Sequence, residues 1–281
     1  MTRSQANLLL LAVAIVWGSA FVAQAHGMDG VEPFTFTGIR FLLGVCIVAP
    51  FAWRDWRSIS RREVPPGRRD LLGVVLLGLL LTLGAVFQQI GLVTTTVTNA
   101  GFLTALYVPL VPMLSWLILR VRPHWSVWPT SLGCLVGTWM LSGAGNLNLG
   151  IGDAWVIASS LFWALHVLFV GKIADRIAAP FLVACGQFFV CGIACLFWGA
   201  LTETITLEGI QHAAVPILYT GFISVGFAYT GQVVGQPPLA IRLGDRADQA
   251  ARIGMGRPRP QRLARRALDD LAEIHDRRDV G

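Results

Sequence analysis

Polar side chains that could carry chemistry lie inside the long apolar segments of this 281-residue sequence. The sharpest example is Arg40, about two turns into an apolar run that begins at Phe34. A charge in a membrane-type segment is energetically costly, so such a residue is a functional candidate by default. No Asp or Glu stands at mid-depth in an apolar run. Arg40 is therefore predicted either to bind an anionic substrate group or to brace neighbouring helices, with backbone carbonyls, Gln88 or Gln89 as its partners.

Uncharged polar and aromatic residues extend this candidate set. Gln88 and Gln89 are adjacent, so one can face a cavity while the other hydrogen-bonds between helices. His166 lies one turn after Trp163 on the same helix face. Because imidazole titrates near neutral pH, His166 could relay protons, or it could be a packed side chain with no such role. The other residues predicted to bind substrate are Trp17, Asn99, Tyr107 and Gln187.

The sequence lacks the motifs of common enzyme classes. It has no phosphate-binding loop, no HExxH and no Gly-x-Ser-x-Gly, so no catalytic residue or cofactor is predicted. The five cysteines lie in apolar runs without a His or an acid at ligand spacing, and we interpret them as packing residues rather than metal ligands. No basic stripe is interleaved with aromatic residues, so nucleic acid is not an expected partner.

The elements that must position these residues are membrane helices. The chain is 54% hydrophobic and only 14% charged, whereas soluble domains carry about 25% charged residues. A spanning helix needs about 20 mostly apolar residues. Eight windows meet this requirement, and they cover residues 7–25, 34–53, 71–92, 99–119, 127–143, 154–171, 180–200 and 213–235.

The basic residues predict the orientation of these spans. Arg and Lys occupy the N-terminus and every second loop, at Arg3, Arg54, Arg57, Arg61, Arg62, Arg68, Arg69, Arg120, Arg122, Lys172 and Arg176. The alternate loops carry only acidic residues, at Asp29, Glu32, Asp153, Glu203 and Glu208. Since basic loops stay in the cytoplasm, we expect a multi-pass protein of the bacterial inner membrane with the N-terminus and the C-terminal tail inside the cell.

An internal repeat is visible in three segments that recur in the same order. Trp17 aligns with Trp163 at an offset of 146, and Arg40-Phe41 aligns with Gln187-Phe188 at an offset of 147. Residues 85–89 align with 228–232 at an offset of 143. Five spans separate the two copies, so the second would insert with inverted topology, as in many secondary transporters. Chance similarity between apolar helices is the alternative.

The same residues resemble a known family. The stretch from Trp17 to Val22 is similar to the first-helix signature of the EamA branch of the drug/metabolite transporter superfamily. The resemblance covers roughly residues 5–236, and its further motifs are Arg40-Phe41, Leu106 to Pro112, Gly152-Asp153 and Phe162-Trp163-Ala164. It implies two inverted five-helix repeats, both termini in the cytoplasm, and movement of small metabolites such as amino acids or drugs by exchange or proton coupling.

Two features depart from the family pattern. Many members carry a Glu at the cytoplasmic end of the fourth helix, where this chain has Leu119 to Arg122. The ninth and tenth helices are also missing, because residues 237–281 hold ten Arg and seven Asp or Glu and no apolar window. We hypothesise a frameshift near Gln236-Pro237 or a decayed gene; the alternative is a genuine cytoplasmic tail with a charged helix over Arg262 to Arg277.

These observations predict an all-α membrane protein built as a bundle of inverted five-helix repeats. Residues 1–145 form the first repeat, 150–236 a partial second repeat, and 237–281 a charged tail. The expected function is a secondary transporter, an exporter, that moves small metabolites by alternating access. Its expected partners are the metabolite, the lipid bilayer and a proton as the coupling ion, and the sequence leaves a homodimer open. The alternative is a truncated remnant or membrane scaffold that does not transport.

Overall fold

Helices account for all the regular structure that can be described. The computed structural model describes residues 3–61, 66–120, 123, 125–141 and 149–231, all within one compact unit that spans Met1–Gly235. No strand occurs in these ranges. The predictions made for residues 237–281 lie outside them. The all-α prediction is therefore confirmed for the part of the chain that the structure describes.

Ten α-helices and one π-helix follow one another along these ranges. They are α1 (Arg3–Gly27), α2 (Pro33–Ile59), α3 (Arg68–Leu92), α4 (Val97–Thr104), α5 (Tyr107–Leu119), α6 (Val127–Leu141), α7 (Ile151–Ile177), α8 (Pro180–Thr202), α9 (Leu207–His212), α10 (Ala214–Leu218) and π1 (Tyr219–Ala228).

Seven helical segments within the described residues are long and apolar enough to cross a membrane. They are Asn7–Gly27, Pro33–Ile59, Arg68–Leu92, Val97–Leu119, Ile151–Ile177, Pro180–Thr202 and Ala214–Gly231. The predicted window 127–143 contains α6, whose 15 residues are fewer than a span requires. Residues 142–148, which follow α6, lie outside the described part of the chain. The multi-pass membrane assignment is confirmed, with seven membrane-length helices and a shorter eighth apolar helix in the part of the chain that the structure describes.

The fourth span is broken into two helices. α4 ends at Thr104 and α5 begins at Tyr107, so the break falls at Ala105 and Leu106. A proline ring clashes with the carbonyl four residues earlier, and for Pro109 that carbonyl belongs to Ala105. The break therefore precedes Pro109 by one turn, and Pro109 itself lies in the first turn of α5, where a missing N–H costs little.

The central bundle is formed by α2, α3, α8 and π1. Helix α2 packs against α8 and π1, α3 packs against α7 and α8, and α1 packs against π1. Ten buried residues make up its central cluster, namely Phe41, Val48, Leu81, Ala85, Val86, Ala184, Phe188, Cys191, Cys195 and Val225. These contacts bring together α2 and α8, the helices that carry Arg40 and Gln187.

Glycines allow α2 and α8 to approach closely in one half of their contact. A Cβ added at Gly38 would lie 2.6 Å from Cγ of Leu196 and 3.0 Å from its backbone nitrogen. A Cβ at Gly192 would lie 3.3 Å from the carbonyl oxygen of Gly38. Only residues without a Cβ fit here, so the two backbones are in near-direct contact.

The last span is irregular. Residues Tyr219–Ala228 are wound as a π-helix, a conformation that is rare and usually limited to a single turn. The segment lies against α2, because a Cβ at Gly221 would be 3.0 Å from the carbonyl oxygen of Arg40. The π-helix π1 therefore lies against α2, the helix that carries Arg40.

Candidate functional site

Arg40 is buried in α2 and has no charged partner among the residues that the structure describes. Its side chain is only 5% exposed. The guanidinium carbon lies 5.6 Å from the ring centroid of Phe36 and 5.2 Å from that of Phe41, within the range of cation–π attraction. Within the described residues Arg40 makes no hydrogen bond or ion pair, and its buried Nε has no partner. Because an unpaired buried charge is costly, a guanidinium without a counter-group among the described residues is energetically unfavourable.

The predicted pairing of Arg40 with Gln88 or Gln89 is wrong. Nε2 of Gln88 donates to Oγ1 of Thr104 at 2.9 Å, and Nε2 of Gln89 donates to the carbonyl oxygen of Gln24 at 3.1 Å. Both glutamines are buried and tie α3 to α4 and α1. Neighbouring helices supplied nearer partners than α2, so these residues make the interhelical hydrogen bonds that were one of their two predicted roles.

His166 and Gln187 form a buried pair between α7 and α8. Nε2 of His166 and Oε1 of Gln187 are 2.7 Å apart, and the two residues are 8% and 0% exposed. The indole of Trp163 meets the imidazole edge-on, with ring centroids 6.0 Å apart. Nε2 of Gln187 and Nε1 of Trp163 are buried and have no hydrogen-bond partner in the described part of the chain. Two such N–H groups beside an imidazole can donate hydrogen bonds to an oxygen of a ligand or of water.

An aromatic contact joins the two spans that carry Arg40 and Gln187. The rings of Phe41 and Phe188 lie 5.5 Å apart, and Phe188 meets Tyr229 at 5.1 Å. Arg40 and Gln187 each immediately precede one ring of the first contact. The repeat alignment of these residues therefore corresponds to a direct contact in the bundle.

The remaining predicted residues do not join this group. Trp17 is 36% exposed and donates its Nε1 hydrogen to the carbonyl oxygen of Ser224 at 3.1 Å. Asn99 donates from Nδ2 to Asp153 at 3.3 Å, where Thr95 also donates to the same carboxylate. Tyr107 is half-buried in the first turn of α5. Asn99 thus belongs to the start of α7 rather than to the surroundings of Arg40.

Two carboxylates, Glu203 and Asp55, join the ends of α2 and α8. Neither was among the residues predicted to bind substrate. Glu203, which follows α8, accepts hydrogen bonds at 2.7 Å from the backbone N–H groups of Phe34 and Thr35, at the start of α2. The Thr35 hydroxyl donates to the same carboxylate at 2.7 Å. In the same place, the N–H of Thr204 donates to Glu32 at 3.1 Å. We call this set of four hydrogen bonds the Glu203 clamp.

The opposite end of the same helix pair carries a second carboxylate. Oδ2 of Asp55, near the end of α2, accepts from the N–H of Phe181 at 2.9 Å and from that of Leu182 at 3.2 Å, at the start of α8. We call these two hydrogen bonds the Asp55 clamp. The repeat offered a signal for both clamps, because Pro33-Phe34 and Pro180-Phe181 align at an offset of 147 and Asp55 and Glu203 at 148.

The described residues show no metal-binding cluster. No group of three or more His, Cys, Asp or Glu side chains comes together in these ranges. The thiols of Cys191 and Cys195 are free and fully buried beside Phe41 and Phe188. The polar side chains gathered in this part of the bundle are the guanidinium of Arg40, the amide of Gln187, the indole of Trp163 and the imidazole of His166.

Comparison with known proteins gives several similar sequences. An uncharacterized transporter of Archaeoglobus fulgidus is 31% identical over 202 residues, which are 72% of this chain and 60% of that relative. The uncharacterized inner membrane transporter YedA of Escherichia coli (strain K12) is 26% identical over 235 residues, or 80% of this chain and 70% of YedA. The uncharacterized transporter YoaV of Bacillus subtilis (strain 168) is 21% identical over 231 residues, or 78% of this chain and 75% of YoaV.

A solved structure and a family model complete the comparison. One crystal structure of a protein shares the fold with a TM-score of 0.58 at 19% identity, over 83% of this chain and 81% of that one. A model of the EamA-like transporter family matches residues 4–143. With the membrane-length helices and the related transporters, these matches place the sequence: the chain belongs to the EamA-like transporter family.

Proposed function

We propose that this protein is a secondary transporter, an exporter of small metabolites such as amino acids or drugs, that works by alternating access. The observation that carries the proposal is the burial of Arg40 inside a bundle of membrane-length helices, with no charged partner among the described residues. A polar group is retained in such a place when it serves a pathway or a ligand. The transporter family and its named relatives support the same function.

The substrate site in this proposal lies between α2, α7 and α8. Arg40 would attract an anionic group of the metabolite, and the unsatisfied Nε2 of Gln187 and Nε1 of Trp163 would donate to its other oxygens. His166 would bind and release the coupling proton, because imidazole changes charge near neutral pH. Its hydrogen bond to Gln187 would link that proton to the substrate site.

The proposed topology has inverted repeats and cytoplasmic ends. The packing of α3 against α7 and α8 mirrors that of π1 against α1 and α2, as expected if α1, α2 and α3 correspond to α7, α8 and the last span. The family match to residues 4–143 supports a first repeat at 1–145. The Arg-rich loops support an N-terminus inside the cell, and the E. coli relative supports an inner-membrane location.

Reconstitution tests the function. Liposomes that contain the purified protein are loaded with a panel of radiolabelled amino acids and of cationic, neutral and anionic drugs. Flux is measured with and without a pH gradient. We expect saturable flux of at least one compound, and a loss of at least about tenfold in Arg40→Gln if the substrate is anionic. Arg61→Gln, which removes an exposed arginine, is the matched control. The absence of flux for every compound would contradict transport and favour the scaffold or remnant.

A further inference from the structure

The two clamps tie both ends of one antiparallel helix pair. Pro33 and Pro180 begin α2 and α8, and proline has no N–H to donate. The first N–H groups of each helix therefore come from the next two residues, and the carboxylate at the far end of the other helix accepts them in both cases. A negative charge at a helix N-terminus is also favoured by the helix dipole.

The clamps are separated by the thickness of a membrane. Phe34 and Asp55 lie 21 residues apart on α2, which corresponds to about 30 Å of α-helix. The hydrocarbon core of a bilayer is also about 30 Å thick. Each clamp therefore lies at one membrane face, and Arg40 lies between them. With the orientation proposed from the basic loops, the Glu203 clamp is at the outer face and the Asp55 clamp at the inner face.

A transport cycle must open these two faces in turn. To open one face, α2 and α8 must separate at that end, and the carboxylate there must release the N–H groups that it accepts. The other end must stay joined, because it is the pivot of the motion and it keeps the opposite face closed. Hinge motions of this kind use a packed contact that remains intact while another opens.

We propose that Glu203 and Asp55 are the two gate residues of this protein, Glu203 for the outer face and Asp55 for the inner face. The proposal rests on the proposed transport function and orientation. It assigns to the carboxylates a role beyond helix capping: loss of one clamp shifts the population of the protein toward the state that is open on that side. Loss of a residue that only caps a helix would destabilise the fold without favouring the state that is open on either side.

The buried thiols of Cys191 and Cys195 provide the readout. Both lie on α8 between the clamps and are fully buried. Protein in sealed vesicles of known orientation is treated from one side with a membrane-impermeant methanethiosulfonate, and the label is located by mass spectrometry of peptides. We expect Glu203→Gln to increase labelling from the outer side and Asp55→Ala to increase it from the inner side, each by about tenfold, the effect expected for one charge-assisted hydrogen bond.

Matched controls remove a carboxylate from the same face without breaking a clamp. Glu208→Gln serves for the outer face and Asp175→Ala for the inner face, because both side chains are exposed and make no described contact. Thr35→Val is a milder variant that removes one hydrogen bond from the Glu203 clamp and keeps the side-chain shape. It should shift labelling in the same direction as Glu203→Gln, by a smaller factor.

The outcomes separate the gates from the transport function. Opposite sidedness of the two variants, with unchanged controls, supports the gates. Equal labelling from both sides, or no increase over the controls in the variants that fold, would overturn them. Labelling needs no transported compound. A protein that shows sided labelling but no flux would therefore contradict the proposed transport, and one with flux but no sidedness would contradict the gates alone.

Discussion

The two ends of the α2–α8 pair are built from the same kind of contact but differ in strength. The Glu203 end has four hydrogen bonds, uses both oxygens of its carboxylate, and adjoins the close approach at Gly38 and Gly192. The Asp55 end has two hydrogen bonds to a single oxygen, and the rings of Phe51 and Phe181 lie 5.3 Å apart beside it. The Glu203 end should therefore open less readily than the Asp55 end.

The largest loss of stability is expected from a substitution that crowds the glycine contact between α2 and α8. Gly38→Ala places a Cβ against Leu196, whose backbone nitrogen cannot yield, and should lower the stability of the protein by about 1–3 kcal/mol. Thermal unfolding in detergent measures the change. Gly171→Ala is the control, because a Cβ there meets no described neighbour and should be neutral or stabilise α7 by up to about 1 kcal/mol. Equal effects of the two substitutions would argue against a tight contact at this end.

The second test replaces each carboxylate by the amide of the same side-chain length and compares the losses of stability. Glu203→Gln turns one of two accepting oxygens into a donor and should cost about 1–3 kcal/mol. Asp55→Asn can keep its one accepting oxygen in place, so it should cost less than about 1 kcal/mol. Hydrogen exchange of the amides of Phe34 and Phe181 shows which end has loosened. A larger effect at Asp55 would reverse the ranking.

A third test isolates one hydrogen bond of the stronger end. Thr35→Val removes the hydroxyl that donates to Glu203 and should reduce stability by about 1 kcal/mol. Among the described residues, the hydroxyl of Thr82 bonds only to the carbonyl oxygen of Gly78 in its own helix, so Thr82→Val should change the unfolding temperature little. If both variants behave alike, the Thr35 hydroxyl contributes nothing to the clamp.

The smallest effect is expected at the aromatic contact of the weaker end. Phe51 is 36% exposed, so Phe51→Leu keeps most of its apolar surface and removes only the ring contact with Phe181. That contact should contribute about 0.5–1 kcal/mol. Phe197→Leu makes the same substitution at a residue that is 64% exposed, and it is the matched control. A loss greater than that of Thr35→Val would mean that packing holds the Asp55 end as firmly as hydrogen bonds hold the other.

The sequence alone predicted the spans and the family because both depend on local patterns. Length and hydrophobicity mark a membrane helix without knowledge of its neighbours, and the windows at 34–53 and 180–200 match α2 and α8 within a few residues, apart from the extension of α2 to Ile59. The motif around Trp17 likewise placed the chain in a family that the comparison confirms.

The partners of the site residues could not be predicted, because they depend on how distant helices pack. Nothing in the sequence distinguishes Thr104 from Arg40 as a partner for Gln88; only the position of α4 beside α3 decides it. The pairing of His166 with Gln187 depends in the same way on the packing of α7 against α8. Asp55 and Glu203 resembled ordinary loop charges until the ends of α2 and α8 were placed together.

The joining of α2 to α8 also has a consequence for how the chain could diverge. The contact has the form of an isologous interface, in which the end of each element meets the beginning of the other. In a dimer of two identical chains, one substitution would alter both ends of such an interface at once. With both helices in one polypeptide, each end is encoded separately, so a longer carboxylate at one face and a shorter one at the other can be selected independently.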